Sequence, residues 1–305
     1  MICPVESCTG CHSCYNACPV KAIHMNNDIL GHVYPYIDMD KCIGCNLCRK
    51  ACPSVVPVAT QRPKTAFAAW SLDEEERRTS SSGGAASVFS RHVLARGGVV
   101  YGAALDDDLR IAHIRVDTDD CLPKLKGSKY VQSIIGSTFR AVSIDLDEGR
   151  KVLFIGTPCQ IAGLRRYLSK EYQNLCTVDL VCHGVPSQQL LFEHIARKVH
   201  GQDFDSISFR EVSGFYLRIS RKGTTLYLRS LYDDEYYIGF MKGLFYRSSC
   251  YSCTYAKPER VSDITIGDFW GLGKRKPFLH STSDGCSLIM PNTTQGLSFI
   301  RNCSD

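Results

Sequence analysis

From residue 66 onward, short apolar runs alternate with longer stretches that repeat their apolar positions at helical spacing, so strands and helices are expected in turn. Residues 66–70 read as a short apolar strand, and the charged run 72–78 as solvated surface. A helix is expected over 85–94, ended by Gly97 and Gly98, with strands at 99–105 and 111–116. The alternation continues with a helix near 137–146, a strand at 151–156, a helix at 161–168, a strand at 175–181 and a helix at 188–199. Residues 206–228 carry period-two patterning with Gly223 at a turn, and another helix starts near Thr294. Strand–loop–helix order of this kind predicts a mixed sheet covered by helices.

The first 57 residues follow a different rule. Cys8, Cys11, Cys14 and Cys18 precede Pro19, and Cys42, Cys45, Cys48 and Cys52 precede Pro53. Each run reads C-x2-C-x2-C-x3-C-P, the arrangement that holds cubane iron–sulfur clusters in bacterial two-cluster ferredoxins. Three thiolates on one tight loop face one cube, while the fourth is carried onto the next helical turn and serves the neighbouring cube. Cys8, Cys11, Cys14 and Cys52 are therefore assigned to one cluster, and Cys42, Cys45, Cys48 and Cys18 to the other. Zinc sites prefer pairs of C-x2-C to triplets with an exchanged fourth ligand. The stretch between the runs, around Val33 to Asp38, reads as a hairpin, and the clusters replace most of a hydrophobic core. Cys3 falls outside the spacing and reads as a free thiol or redundant residue.

The fold class expected is thus α+β or α/β in two parts. A two-cluster ferredoxin domain spans 1–57, a linker runs through Pro57, Arg62 and Pro63, and a mixed α/β domain follows in two portions, 65–150 and 151–305. The 305 residues, 44% hydrophobic and 22% charged, suit a globular chain of two or three domains. The 17 cysteines follow no signal peptide, and cluster assembly needs a reducing environment, so a cytoplasmic location is expected. No apolar stretch approaches the roughly 20 residues of a membrane span. A net charge of +5 is too small to argue for nucleic acid, though it suits docking of an acidic electron carrier.

Three loops in the α/β region carry candidate chemistry. Ser80 to Gly84 opens a helix with hydroxyls and glycines. That suits backbone N–H groups closing on phosphate and suits a flexible turn equally. Thr157-Pro158-Cys159-Gln160 joins a strand end to a helix start, where a thiolate is favoured, and Cys159 reads as nucleophile, metal ligand or lone buried cysteine. Cys182, with His183 beside it, occupies the matching end of the next strand, so both loops can meet at one crevice. Cys250-Tyr251-Ser252-Cys253 adds a C-x2-C. Cys159, Cys182, Cys250 and Cys253 together make the four ligands of a third cubane. Cys121, Cys176, Cys286 and Cys303 read as packing or surface residues. Residues 262–271, a strand with two acids and an indole at its end, suit either a cofactor pocket or a capped strand with a core tryptophan.

Gly127-Ser128-Lys129-Tyr130-Val131-Gln132, Gly156-Thr157-Pro158-Cys159-Gln160, Cys182-His183-Gly184-Val185-Pro186, Cys250-Tyr251-Ser252-Cys253 and residues 262–271 together resemble the beta-subunit family of coenzyme F420-reducing hydrogenase and dehydrogenase. The resemblance covers nearly the whole chain from Ala66, although the chain stops at Asp305 where relatives usually continue. It implies FAD and a cubane cluster, and electron exchange between ferredoxin-type centres and a deazaflavin or another organic acceptor. Within that resemblance Ser81, Ser82, Gly83 and Gly84 become candidates for the flavin phosphates. Lys129 becomes a candidate cation near flavin or substrate, against the plain alternative of an exposed loop lysine. The expected activity is that of an iron–sulfur flavoprotein oxidoreductase served by a redox partner protein or reduced ferredoxin and a small organic acceptor, in a chain that can oligomerise. The alternative is a non-catalytic electron-transfer subunit of a larger redox complex.

Overall fold

The computed structural model describes residues 2–212 and 214–303. Its N-terminal part is built twice on one plan. Helix α1 (Ser13–Ala17) leads to an antiparallel hairpin of β1 (Ile23–Asn27) and β2 (Val33–Ile37), followed by helix α2 (Leu47–Lys50). Both cysteine loops make the same turn. Gly10 and Gly44 take φ of 63° and 67°, and His12 and Asn46, at the residue before each helix, take φ of 60° and 59°. Left-handed backbone at matched positions wraps each loop tightly enough to present three thiols to one point. Ile2, Cys14, Cys18, Ala22, Ile23 and Cys52 form the small buried core.

The remainder contributes β3 (Phe67–Ala69), α3 (Glu74–Arg78), α4 (Ala85–Leu94), β4 (Val99–Leu105), β5 (Ile111–Val116), α5 (Thr138–Asp147), β6 (Val152–Gly156), α6 (Pro158–Leu168), β7 (Leu175–Leu180) and α7 (Gln188–Lys198). After these come β8 (Ser206–Ser208), β9 (Tyr216–Arg221), β10 (Thr224–Ser230), α8 (Glu235–Met241), α9 (Ser248–Tyr251), β11 (Ile264–Asp268), β12 (Ser287–Pro291) and α10 (Thr294–Asn302). Seven strands form one sheet in the order β3-β12-β11-β7-β6-β4-β5, with the inner run β11-β7-β6-β4 parallel. Portions 65–150 and 151–305 both supply strands to it, so they are one structural layer. Strands β8–β10 form a separate three-stranded sheet.

Alternation along the central strands decides which helix covers which face. Val99, Tyr101, Val152 and Phe154 pack with Phe139, Val142, Ile161 and Leu164 of α5 and α6. Their neighbours Val100 and Leu153 point the other way, to Phe89 and Val93 of α4 and Phe299 of α10. A buried phenylalanine such as Phe154 contributes about 2–3 kcal/mol by leaving water. Two sequence expectations need correction. The run 72–78 is not plain surface: Asp73 caps α3, and Glu76 is buried against Lys126 at 2.8 Å and Arg91 at 2.9 Å. Trp270 is not a core residue; its ring lies exposed and stacks on Phe215. Among the described residues no helix is long and apolar enough to cross a membrane.

Candidate metal centres and adjoining cleft

The two cysteine runs exchange their fourth members. Cys11 and Cys14 each lie in the electrostatic reach of Cys8 and Cys52, whereas Cys48 neighbours Cys45 and Cys18. Helix geometry causes this: Cys18 and Cys52 sit one turn beyond their own triplets and face across the repeat. The environments differ sharply. Cys8, Cys11, Cys14 and Cys52 are all buried, while Cys42 and Cys45 are exposed. Burial pushes the Cys11 thiol up to about 11 and Cys14 further in the same direction. Cys3, outside the motif, lies beside Cys8 and Cys52.

The first set is covered by the α/β body. The Ser13 hydroxyl donates to Gly163 O of α6, the Asn16 amide donates to Gly136 O, and Arg140 donates to Asn16 O and Tyr15 O. Gly163 has a positional reason to be glycine, because a Cβ there would stand 2.9 Å from both Cβ and Sγ of Cys11. Helix α6 thus runs directly over the first cysteine loop.

One turn back along α6, near its start, lies Cys159. Pro158 occupies the first turn and Thr157 with Gln160 completes a reciprocal capping box, so the strand-to-helix corner is fixed and the Thr157 hydroxyl lies 3.2 Å from Cys159 Sγ. Cys182 follows β7, which is hydrogen-bonded to β6, and α9 carries Cys250 with Cys253 just after it. Cys159 has Cys182 and Cys250 as electrostatic neighbours, and Cys182 has Cys250 and Cys253. The structure therefore brings all four together. Burial pushes Cys182 up to about 11 and raises Cys159 and Cys250 as well. Cys11 is also a neighbour of Cys159, and Tyr255 neighbours Cys159, Cys11, Cys253 and Cys52, so the first and third sets adjoin.

Spacing tests what these thiols fit. A tetrahedral zinc with bonds of about 2.3 Å would gather its sulfurs to within roughly 4 Å. Among the described residues, ligand atoms of three such groups come within 4.8 Å of one another at His194, Asp234 and Glu235, and at no cysteine trio. Two runs of C-x2-C-x2-C-x3-C are the donor sets of cubes of iron and sulfide. His194 and Asp234 have a structural explanation instead, since Asp234 caps α8 and accepts from Tyr227.

Beyond the third set, a cleft of about 320 Å³ opens at the carboxyl ends of β4, β6, β7 and β11, the usual ligand position on a parallel sheet. Cys159 and Cys182 lie in its wall, together with Ser81, Ser82, Gly84 and Lys129. Gly84 precedes α4 with φ of 88° and gives it no side-chain cap, so the helix start is left to backbone N–H groups. Gly102 and Ala103 keep the floor low. Two candidates turn out otherwise engaged. Gly83 faces the sheet, where a Cβ would stand 2.4 Å from Ala69 O and 2.7 Å from Ser287 N, and the Ser82 hydroxyl donates to Cys286 O. Lys129 is no exposed loop lysine. Its Nζ donates to Leu125 O at 3.0 Å and Lys126 O at 2.7 Å, and burial pushes it down to about 7. Asp268 reaches the cleft, but the other acid of its strand, Asp263, is spent on Thr177.

Sequence reading missed three residues here. His113 lines the cleft between the Ser133 hydroxyl at 2.8 Å and Ile155 O at 3.0 Å, and burial holds it neutral, pushed down to about 4. Because a carbonyl only accepts, its Nε2 carries the hydrogen and Nδ1 accepts from Ser133. Arg210 donates to Ser81 O, the Tyr130 hydroxyl and Asp268, tying the serine loop to β11. Arg247 joins the two halves of the molecule. Nothing near these residues in sequence marks them; only the fold assembles their partners.

Comparison with known proteins agrees with this architecture. Residues 7–56 match the family described as 4Fe-4S dicluster domain. A search of curated proteins gave no match. The fold resembles a chain of the F420-reducing [NiFe] hydrogenase complex from Methanosarcina barkeri, solved as a xenon derivative, with a TM-score of 0.54 and 18% identity over 80% of each chain. Residues 149–305 match the family described as the C terminus of the coenzyme F420 hydrogenase/dehydrogenase beta subunit, and with that match covering half of its length the chain belongs to this family, with an iron–sulfur dicluster domain at its N-terminal end.

Proposed function

We propose that this protein is an electron-transferring oxidoreductase whose thiolate sets form a conduit from the surface to the cleft, where a flavin and then an organic acceptor are served. One observation supports the reading: the cysteine sets neighbour one another, from exposed Cys42 and Cys45, through buried Cys8, Cys11, Cys14 and Cys52, to Cys159 and Cys182 in the cleft wall. When bound, cubane clusters supply one-electron transfer and a flavin converts it to two-electron chemistry.

The chain's own residues do the rest. Cys42 and Cys45 sit beside exposed Met39, Ile43 and Leu47, an apolar rim that suits docking of a redox partner protein at the second set. Helix α6 and Gly163 hold the first set close to the third. At the cleft, the uncapped start of α4 and the backbone beside Ser81 and Gly84 suit a pyrophosphate, with Lys129 as a titrating positive charge on the wall. His113, neutral, positions Ser133 and the end of β6.

Reduction of the anaerobically reconstituted protein by reduced ferredoxin, followed by flavin bleaching, tests the proposal. Wild type should bleach, and Cys159→Ser should take up electrons at the N-terminal sets while its flavin stays oxidised. Equal flavin reduction in both would reject the conduit. If wild type binds no flavin yet passes electrons to a partner protein, the chain is an electron-transfer subunit without its own substrate, a reading that the apolar rim around Cys42 also favours.

A further inference from the structure

Arg247 is fully buried, with 0% exposure. Its backbone belongs to the third-set region: its N–H donates to Val185 O, and its carbonyl accepts from Cys250 N. Its side chain crosses into the N-terminal domain. Nε donates to Cys8 O at 2.6 Å, and one terminal nitrogen donates to Val33 O at 2.7 Å and lies 3.6 Å from Cys8 Sγ. The other donates to Gln132 Oε1 at 3.2 Å, and the guanidinium lies 4.1 Å from the centre of the Tyr34 ring. Gly10 makes room, since a Cβ there would stand 2.8 Å from Arg247.

Every one of these partners is a carbonyl, an amide, an aromatic face or a thiol. Other enclosed arginines are matched by acids: Arg260 bonds buried Asp179 at 2.8 Å, and Arg165 reaches Asp263 at 3.2 Å. Among the described residues Arg247 has no such carboxylate. The ionisable groups beside it are the thiols of Cys8 and Cys250 and the imidazoles of His12 and His32, none of them a carboxylate. A buried guanidinium without a counter-charge loses its hydration with nothing to offset it, so an anion belongs beside this one. The thiol it touches is Cys8, and a cube held by four thiolates is anionic and gains a further negative charge on reduction.

We infer that Arg247 is the built-in counter-cation of the cluster on Cys8, Cys11, Cys14 and Cys52, a positioning residue that raises that cluster's reduction potential and makes it the favoured resting place for an electron next to the third set. The inference rests on those four cysteines holding a cluster, which an iron count on each variant checks separately. Electrostatics sets the sign: a nearby positive charge stabilises the more negative, reduced state.

The test is an EPR-monitored redox titration of the full chain, reconstituted anaerobically, as wild type, Arg247→Gln, Arg247→Lys and Gln132→Glu. In Arg247→Gln the cluster on Cys8, Cys11, Cys14 and Cys52 should move furthest to a more negative midpoint, with that on Cys42, Cys45 and Cys48 unmoved. Arg247→Lys, which keeps the charge, should recover most of the shift. Gln132→Glu sets a carboxylate against the guanidinium and should move the same cluster in the same negative direction, which decides the matter if Arg247→Gln fails to load iron. Unchanged midpoints in fully loaded Arg247→Gln or Gln132→Glu would overturn the inference. So would equal shifts in the Gln and Lys variants, since shape rather than charge would then be responsible.

Discussion

The two halves of the cysteine repeat share one motif, one left-handed turn and one exchanged fourth ligand, yet they sit in opposite surroundings. The half built on Cys8, Cys11 and Cys14 is roofed by α6 and threaded by Arg247, whereas Cys42 and Cys45 face solvent among exposed apolar side chains. The difference does not arise within the repeat. It comes from what the α/β body covers: α1 meets Gly163, Gly136 and Arg140, and the equivalent helix α2 is held chiefly through Arg166 on Lys50 O. A locally symmetric motif has thus been given two unlike ends, one enclosed by the α/β body and one open to solvent.

The largest effect should come from breaking the exchange that joins the halves. Cys18→Ala should cost the cluster on Cys42, Cys45 and Cys48, leaving about eight irons of about twelve, four per cubane. Because Cys3 stands beside Cys8 and Cys52, the double variant with Cys3→Ala excludes ligand substitution. Spectra showing loss of the Cys8, Cys11, Cys14 cluster instead would contradict the assignment. Next in size is the difference in exposure. Treatment with an iron chelator should release the second cluster's irons well before the others, read as a fast phase of about one third of the total; a single uniform phase would mean that the halves are equally protected.

The cleft end offers a pH-dependent test. Burial pushes the Lys129 ammonium down to about 7, so its positive charge grows as pH falls through that range. Flavin phosphates or a reduced ring should therefore bind more tightly as pH falls through 7. Lys129→Gln should weaken binding roughly tenfold at pH 6, about 1.4 kcal/mol, and flatten the dependence. Flavin titration across pH 6–9 checks this, and an unaltered profile would remove Lys129 from the site. The smallest effect is expected at the roof. Gly163→Ala gains about 1 kcal/mol in helix propensity but presses on Cys11 from 2.9 Å, an overpacking that costs roughly 1–3 kcal/mol. Thermal unfolding should show a net loss, with the first cluster's signal broadened; a stabilised variant with unaltered spectra would mean that α6 yields freely.

Much of this could be read from the chain because its physics is local. Thiolate spacing sets the cluster loops within a dozen residues. Apolar alternation gives 85–94, 99–105 and 111–116 as the very spans of α4, β4 and β5. Cys159 and Cys182 meet because they end neighbouring parallel strands, which the strand order already suggests. What stayed hidden depends on distant partners. Arg247 meets Cys8 across 239 residues. Glu76 looks like one acid in a charged run until Lys126 and Arg91 converge on it. Gly83 looks like part of a phosphate loop until β3 and β12 fill the space beside it.

The central claim is a continuous conduit of three thiolate sets ending at a flavin cleft, and it is most directly tested by counting. Protein reconstituted anaerobically with iron, sulfide and FAD, then desalted, should carry about twelve irons and one flavin per chain. About eight irons with no retained flavin would show that the conduit ends inside the N-terminal domain and would contradict the account.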